Sequence, residues 1–348
     1  SCLVGSEMCI RDRSVSMKDV ARLAGVSSQT VSRVANNSSE VKPETRLRVE
    51  RAMEELGYRP NYAARALKHG SFKDVGVVLF NMTSYGDSHI LNGVVDAARE
   101  HGYATTIRSF EQGCPATLQS AIDQMKTLPV DGVVFILEQQ VADFNTFVPS
   151  VELPVVLVSE EPSDHCPTID SDQYGTSVVL VDYLLAKGHR NVYHIAGPSY
   201  SVAAQSRRRG WEDALRQQGI VPPSVYIGDW EADSGYQAGL ALAHERDCTA
   251  VYAANDQMAY GCILGLREAG KRVPEDVSVV GVDDSLQGIV PRLELTTMRE
   301  KFNELGREAF GMILAQCNGD KLPVGVKTVI PSVLVERGSV SEVEDRGA

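Results

Sequence analysis

The sequence predicts two unlike parts: an all-α module of short helices, then an α/β domain made of two doubly wound subdomains. Three observations predict this. Apolar residues recur at helical spacing between Met17 and Leu56, runs of Val, Ile and Leu alternate with helical stretches from Val75 onward, and the charge changes sign near Asp74. Residues 15–73 hold eleven Lys or Arg against six Asp or Glu, a net of +5. Residues 1–14 are balanced, so of the total of −12 the chain from Asp74 onward carries −17. A small basic part attached to a large acidic one points to different partners for each. With 43% hydrophobic and 23% charged residues, the composition excludes a disordered acidic chain, a collagen-like fibre and a disulfide scaffold. No uncharged apolar run approaches the ~18 residues needed to cross a bilayer, so no membrane partner is expected.

Residues 1–14 (SCLVGSEMCIRDRS) show neither a helix or strand period nor the charged-then-apolar order of a signal peptide. They resemble translated cloning or adapter sequence and are set aside as a non-native leader. In 17–24 (MKDVARLA), Val20, Ala21 and Ala24 share one face of a short amphipathic helix. Gly25 and Val26 follow, and Ser27 is a good N-cap for a second helix over 28–35, whose apolar face is Val31, Val34 and Ala35. A third helix starts at Pro43, whose fixed φ suits the first turn. Its Val49, Ala52, Met53 and Leu56 repeat at helical spacing, and Gly57 can stop it in a left-handed conformation.

Two short helices about a Gly turn with a third in support is helix-turn-helix geometry, expected here over residues 15–59. Such a fold sets the start of its second helix against base edges in the major groove. There Gln29 can pair bidentately with adenine and Arg33 with guanine, each worth about 1–3 kcal/mol of discrimination. Either residue alone reads as a polar face meeting water; the whole constellation does not. Residues 60–73 follow as a hinge helix and linker. Within them 61–68 (NYAARALK) favours helix but is shorter than the ~12–15 residues an isolated helix needs, so it would order only against DNA and a dimer mate. A plain linker is the alternative.

The run DVARLAGVSSQTVSRVANN followed by TRLRVERAMEELGYRPNYAARAL resembles the DNA-binding headpiece and hinge of the LacI/GalR family of bacterial repressors. The likeness continues through GHRNVYHIAGP, RGWEDAL, ANDQMAYG, VSVVGVDD and LTTMRE, from Ser16 to about Arg337. It implies a large domain like the periplasmic binding proteins, a homodimer, double-stranded operator DNA and a small-molecule effector, a sugar or glycoside. It assigns base reading to Ser28, Gln29 and Arg33, with Asn36 nearby, and phosphate positioning to Ser27, Thr30, Ser32, Thr45, Tyr58 and Asn61. Leu67 matches a leucine that wedges into a minor-groove base step, with Ala64 packed beside it; such a wedge kinks the duplex. Ser28 and Glu40 replace a tyrosine and a histidine found in another member, which implies a different operator.

In the large domain the strand candidates are 75–80, 104–108, 132–137, 154–159, 192–197, 224–227, 249–254 and 277–283. Continuous apolar runs between helices imply parallel strands covered on both faces. The expected domain is 74–337, with one subdomain at about 74–168 plus 300–328, the other at about 169–299 plus 329–337, and a flexible tail at 338–348. Ligands bind such sheets beyond the carboxyl ends of the strands. Asn255-Asp256 and Asp283-Asp284 end two strand candidates, while Arg207 and Trp230 sit in connecting stretches. Carboxylate, amide and guanidinium groups match the donors and acceptors of sugar hydroxyls, and Trp230 can face a pyranose ring. The resemblance places effector contacts on Arg207, Trp230, Asn255 and Asp283. The alternative is that Asn255 and Asp283 cap helices and Arg207 is a surface charge. Phe80, Ile136 and Ser159 stand where another member has polar sugar contacts, so Ser84 or Tyr85 would serve instead, and Gly228-Asp229-Trp230 leans toward a glycoside. Apolar helix faces near 91–98 and 120–128 are expected to form the dimer.

Among seven cysteines, Cys114, Cys166, Cys248, Cys262 and Cys317 show no CxxC or metal-ligand spacing, which fits scattered thiols in a reducing compartment. With no export signal, a cytoplasmic protein is expected. No histidine has a close His or Cys partner at metal spacing, and no phosphate loop, HExxH, GxSxG or GxGxxG motif is present, so neither a cofactor nor catalytic residues are expected. Asp170 with Asp172, or Asp283 with Asp284, is a weak match to a glycosidase dyad. A sugar receptor of the periplasmic type is the competing reading; an export signal without a helix-turn-helix would favour it, and the sequence shows the reverse. The stretch after Val335 has no leucine heptads, which argues against a C-terminal coiled coil.

Overall fold

The computed structural model describes residues 15–35, 38, 40–58, 70–110 and 117–343. The leader at 1–14, Cys114, the hinge segment to His69 and the expected DNA contacts Asn36, Asn61, Ala64 and Leu67 lie outside the described residues. The chain divides into two compact units, Ser1–Phe72 and Lys73–Ala348.

Among the described residues the first unit has three helices. Helix α1 (Met17–Ala24) opens with the Asp19 carboxylate accepting from the Ser16 backbone N–H at 3.0 Å, and ends at Gly25 in the left-handed region. Helix α2 (Ser28–Ala35) is capped by Ser27, whose Oγ accepts the Thr30 N–H at 3.1 Å. Helix α3 (Pro43–Leu56) begins on its proline and stops at Gly57. Val20, Ala21, Ala24, Val31, Val34, Val49 and Ala52 form a small core that fixes the angle between α1 and α2.

The second unit runs β1 (Asp74–Leu79), α4 (Tyr85–Glu100), β2 (Ala104–Ser109), α5 (Leu118–Met125), β3 (Val133–Ile136), β4 (Val155–Val158), β5 (Thr168–Ser171) and α6 (Gln173–Ala186). It continues with β6 (Val192–Ala196), α7 (Val202–Gln217), β7 (Val225–Ile227), α8 (Ala232–Leu242), β8 (Ala250–Ala253), α9 (Asp256–Glu268), β9 (Ser278–Val282) and β10 (Thr296–Arg299). Helix α10 (Phe302–Cys317), β11 (Lys327–Ile330) and β12 (Val333–Val335) complete it. One sheet has the order β11-β5-β4-β3-β1-β2 and is parallel throughout. The other, β12-β10-β9-β8-β6-β7, is parallel apart from β12.

Alternation along the strands feeds separate cores. In β1, Val75, Val77 and Leu79 meet α4 and α10 on one face, while Val78 joins Phe135, Ile122 and Met125 on the other. Helices α8 and α9 cover one face of the second sheet and α6 and α7 the other. The backbones of α8 and α9 nearly touch at Gly261, where a Cβ would run into the Ala232 carbonyl.

Three expectations need correction. Strands β5 and β11 belong wholly to the first sheet, so the chain crosses between subdomains at Asp172 and at Pro331-Ser332, a few residues after the expected points, and at Glu300-Lys301. Polar TIDS and exposed KTVI carried no apolar run to announce them. The expected flexible tail is held as far as residue 343. Ser339 is buried, its Oγ accepts the Thr296 N–H at 2.8 Å, and the Val343 N–H donates to the Lys187 carbonyl at 2.9 Å. Finally, the segments expected to form the dimer turn their apolar faces into their own subdomain. Leu91, Val94, Ala97 and Ala98 pack with α10 residues, and Ala121, Ile122 and Met125 fill the core across the sheet.

The three crossings are tied together. Thr176 Oγ1 donates to Glu300 Oε1 at 3.3 Å, Ser332 Oγ donates to Glu300 Oε2 at 2.9 Å, and the two hydroxyls lie 3.0 Å apart.

Candidate functional site

In the first unit the outward face of α2 is polar. Gln29 and Arg33 are exposed, and Ser28, Thr30 and Ser32 are half-buried. Burial of Val31 and Val34 in the module core forces this division, because they occupy the opposite side of the helix. Arg33 Nε lies 3.5 Å from Glu40, an exposed pair of the kind worth about 0–1 kcal/mol and therefore readily exchanged for another partner. Ser27, already the cap of α2, sits 3.0 Å from the Thr30 hydroxyl. Thr45 lies in the first turn of α3, half-buried, and Tyr58 packs on the module core.

In the second unit a cavity of about 430 Å³ lies between the two sheets at the carboxyl ends of their strands. That volume suits a small polar ligand. Arg207, Trp230, Asn255 and Asp283 all line it, although they come from α7, the turn before α8, the cap of α9 and the end of β9. Tyr85, Ser84 and Ile136 line it as well; Phe80 instead stacks on Phe110 at 4.3 Å, and buried Ser159 takes the Glu161 N–H at 3.3 Å.

Arg207 is a buried, paired cation, not a surface charge. Its Nε donates to Gln173 Oε1 at 2.7 Å, Nη1 to the Ala254 carbonyl, and Nη2 to Asp283 Oδ1 at 3.4 Å. Its guanidinium carbon lies 5.8 Å from the Trp230 ring centre. The Trp230 ring lies against Gly197, where any Cβ would strike it. Asn255 caps α9, its Oδ1 accepting the Met258 N–H at 2.9 Å, and its Nδ2 donates to the Trp230 carbonyl at 2.8 Å. That second bond helps hold Trp230 at φ 77°, and Asp283 and Asp284 also have positive φ, at 104° and 57°. Strain of this kind in non-glycine residues gathers where a site needs a fixed geometry. The glycosidase-like pairings are not built: Asp172 caps α6 by taking the Gly175 N–H at 2.8 Å, and Asp284 pairs with Arg299 and Arg337 at 2.8 and 2.7 Å.

Burial dominates the electrostatics. It raises Asp283 to about 7, with Arg207 opposing, and raises Asp256 well above the carboxylate range, helped by Asp283. Asp256 accepts from the Thr297 hydroxyl at 2.6 Å and the Ser285 N–H at 2.9 Å, which supports the end of β9. Sequence reasoning did not single out Asp87, Glu138 or Gln173 and rejected Asp170, yet all four line the cavity. Burial raises Glu138, burial together with Glu160 raises Asp170 to about 7, and burial followed by Glu138 and Asp170 raises Asp87 well above its ordinary value. Asp170 lies within β5 and Gln173 at the start of α6, and since no apolar run announces β5 neither carried a signal, nor did Asp87. Among the described residues no group of three or more His, Cys, Asp or Glu could hold a metal ion, and no helix is long and apolar enough to cross a membrane.

Residues 16–61 match the family model for bacterial regulatory proteins of the lacI family, and residues 181–340 match a periplasmic binding protein-like domain. The chain is 34% identical over 335 residues to the lactose operon repressor of Escherichia coli (strain K12), covering 93% of this chain and 90% of that protein. Among solved structures, the lac repressor dimer bound to operator and the anti-inducer ONPF superposes with a TM-score of 0.78 at 30% identity, covering 94% of this chain and all of that one. A complex of the transcriptional regulator CelR with cellobiose gives 0.67 at 30% identity, covering 93% and 99%. These relatives are transcriptional regulators, not enzymes.

Proposed function

Because the chain belongs to the lacI family of bacterial regulatory proteins, we propose that it is a repressor of carbohydrate-utilisation genes that binds a near-palindromic operator as a homodimer and is released by a sugar effector. It would work in the cytoplasm, where the operator is. The observation that carries the effector half is the buried Arg207–Asp283 pair, with Trp230 and Asn255 on the same cavity: a charged pair 4% and 8% exposed, facing a cleft of ligand size. Such groups present a fixed array of donors and acceptors to hydroxyls that enter. For the DNA half, Ser28, Gln29 and Arg33 would read bases, with Asn36 nearby; Ser27, Thr30, Ser32, Thr45, Tyr58 and Asn61 would fix the phosphates, and Leu67 with Ala64 would open the minor groove.

The effector can drive release only through unequal affinity for two arrangements of the subdomains. Closure about the cleft would favour an arrangement in which paired hinge helices are costly to form. Selection of operators from random DNA by the full protein, repeated with candidate sugars present, tests the proposal. An enriched palindromic site that is lost when one sugar is added is the expected result. No enriched half-site, or no response to any small molecule, would count against it.

A further inference from the structure

The part of the cleft contributed by the first subdomain is acidic. Asp87 on α4, Glu138 just after β3 and Asp170 in β5 line it, and among the described residues Arg207, from the second subdomain, is the only Lys or Arg lining the cleft. Arg207 donates to Gln173, Ala254 and Asp283. The nearby Lys327 donates to Glu160 at 2.6 Å, and neither cation forms an ion pair with Asp87, Glu138 or Asp170.

Asp87 is the sharpest of the three. It is 8% exposed, and its Oδ2 has no hydrogen-bond partner among the described residues. It stands three residues after Ser84, the spacing of a capping box, and a carboxylate there would ordinarily be explained by the helix end. That explanation fails because Ser84 makes no side-chain cap bond and no box is closed at α4, whereas at α1 the Asp19 carboxylate does accept from Ser16. A carboxylate this deep without a partner is stabilised by a proton or by a cation brought from outside. Burial first, then Glu138 and Asp170, disfavours the charge on Asp87, and these two acids line the same cavity. A metal ion does not suit them, because the described carboxylates do not converge as a ligand set. An ammonium group does not require three carboxylates: one can hold it, with its remaining N–H donors met by neutral acceptors of the cleft.

We propose that the effector carries a protonated primary amine on a hydroxylated skeleton, with the amine seated against Asp87 on the acidic side of the cleft and the hydroxyls directed to the Arg207–Asp283 end. The proposal rests on the effector reading of this cleft given above, and narrows it from sugars to amino sugars.

The test is calorimetric titration of the full-length protein with matched ligands: glucose and galactose, their 2-, 3- and 6-amino-deoxy forms, and the N-acetylated versions of those amines. N-acetylation keeps the bulk and removes the charge. At least one amino-deoxy hexose should bind tenfold or more tighter than both its hydroxyl and its N-acetyl counterpart. In Asp87→Asn that advantage should fall to threefold or less, and Glu138→Gln, at a less buried position, provides a second variant should the first fail to fold. Equal affinity for amine and hydroxyl forms, an advantage that survives in both variants, or no binding by any amino-deoxy form overturns the proposal. Binding of a neutral hexose that is lost in Arg207→Met, without amine preference, would sink the amine alone and leave the effector reading standing. Binding by none of the hexoses, neutral or charged, counts against both.

Discussion

Replacing Arg207 by methionine keeps the length of the side chain and removes the guanidinium shared by Asp283, Gln173 and Ala254. The magnitude follows from what is left behind. With Asp283 protonated, the loss is that of the Gln173 and Ala254 acceptors, each about 1–3 kcal/mol if wholly unsatisfied and less if Gln173 turns, so about 2 kcal/mol in all. With Asp283 charged, a buried pair has been broken from one side, at about 3–5 kcal/mol. Asp283 faces Arg207 and Glu300, and burial places it at about 7 in the parent protein. A carboxyl raised above its unfolded value loses its stabilising contribution as pH climbs from that unfolded value to the folded one, here from about 4 to about 7 in the parent. Without Arg207 the folded value moves higher, so only the variant continues to lose stability above pH 7, by up to about 1.4 kcal/mol per unit. Urea unfolding of both proteins, followed by the fluorescence of Trp211 and Trp230, should therefore show a gap of about 2 kcal/mol at pH 6 that widens to about 4 kcal/mol at pH 8.5. A gap below about 1 kcal/mol at both pH values, or one that narrows as pH rises, would refute the ion pair and with it the buried-charge reading of the cleft.

Ser27→Ala removes the cap of α2 and should lower the unfolding transition of the helical module by about 1 kcal/mol, seen in its thermal melt; an unchanged melt would mean that the cap is not formed. Gly261→Ala drives a methyl group into the Ala232 carbonyl and should cost about 1–3 kcal/mol in urea unfolding, and a variant as stable as the parent would show that α8 and α9 are not packed this closely. Leu67→Ala should weaken operator binding across a salt titration while leaving effector affinity nearly unchanged; undiminished operator affinity would remove the wedge from the account.

How much of this was legible follows from where each signal resides. Strands β3 and β4 are buried on both faces, so VVFI and VVLV announce themselves as parallel core strands. Strands β5, β11 and β12 are short; β5 is polar in sequence, β11 is largely exposed and β12 is a half-buried run of three residues, so none shows a period long enough to read. Arg207, Trp230, Asn255 and Asp283 could be singled out because polar residues beyond strand ends converge in doubly wound sheets. The partners of Arg207 could not, since Gln173 lies 34 residues away in sequence and Asp283 lies 76 away. Asp87 was concealed by its own context: Ser84 and Asp87 have capping-box spacing, and only the folded chain shows that the bond is not made. Ser339 was hidden for a related reason, as a serine in a polar tail gives no hint that its hydroxyl will serve two buried backbone groups.

The link among Thr176, Glu300 and Ser332 makes the three chain crossings one mechanical element. Subdomain rotation cannot be absorbed by a single strand of the hinge while the others stay still, because a shared carboxylate couples them. Such coupling would bias how often the empty cleft stands open, independently of how tightly any ligand is held once inside. Its effect would appear as a basal level of repression, with apparent ligand affinity scaled by the open fraction. Thr176→Val and Ser332→Ala, which touch neither DNA nor ligand contacts, should shift leakiness and apparent sensitivity together in a reporter assay. A change in one without the other would show that the crossings move separately.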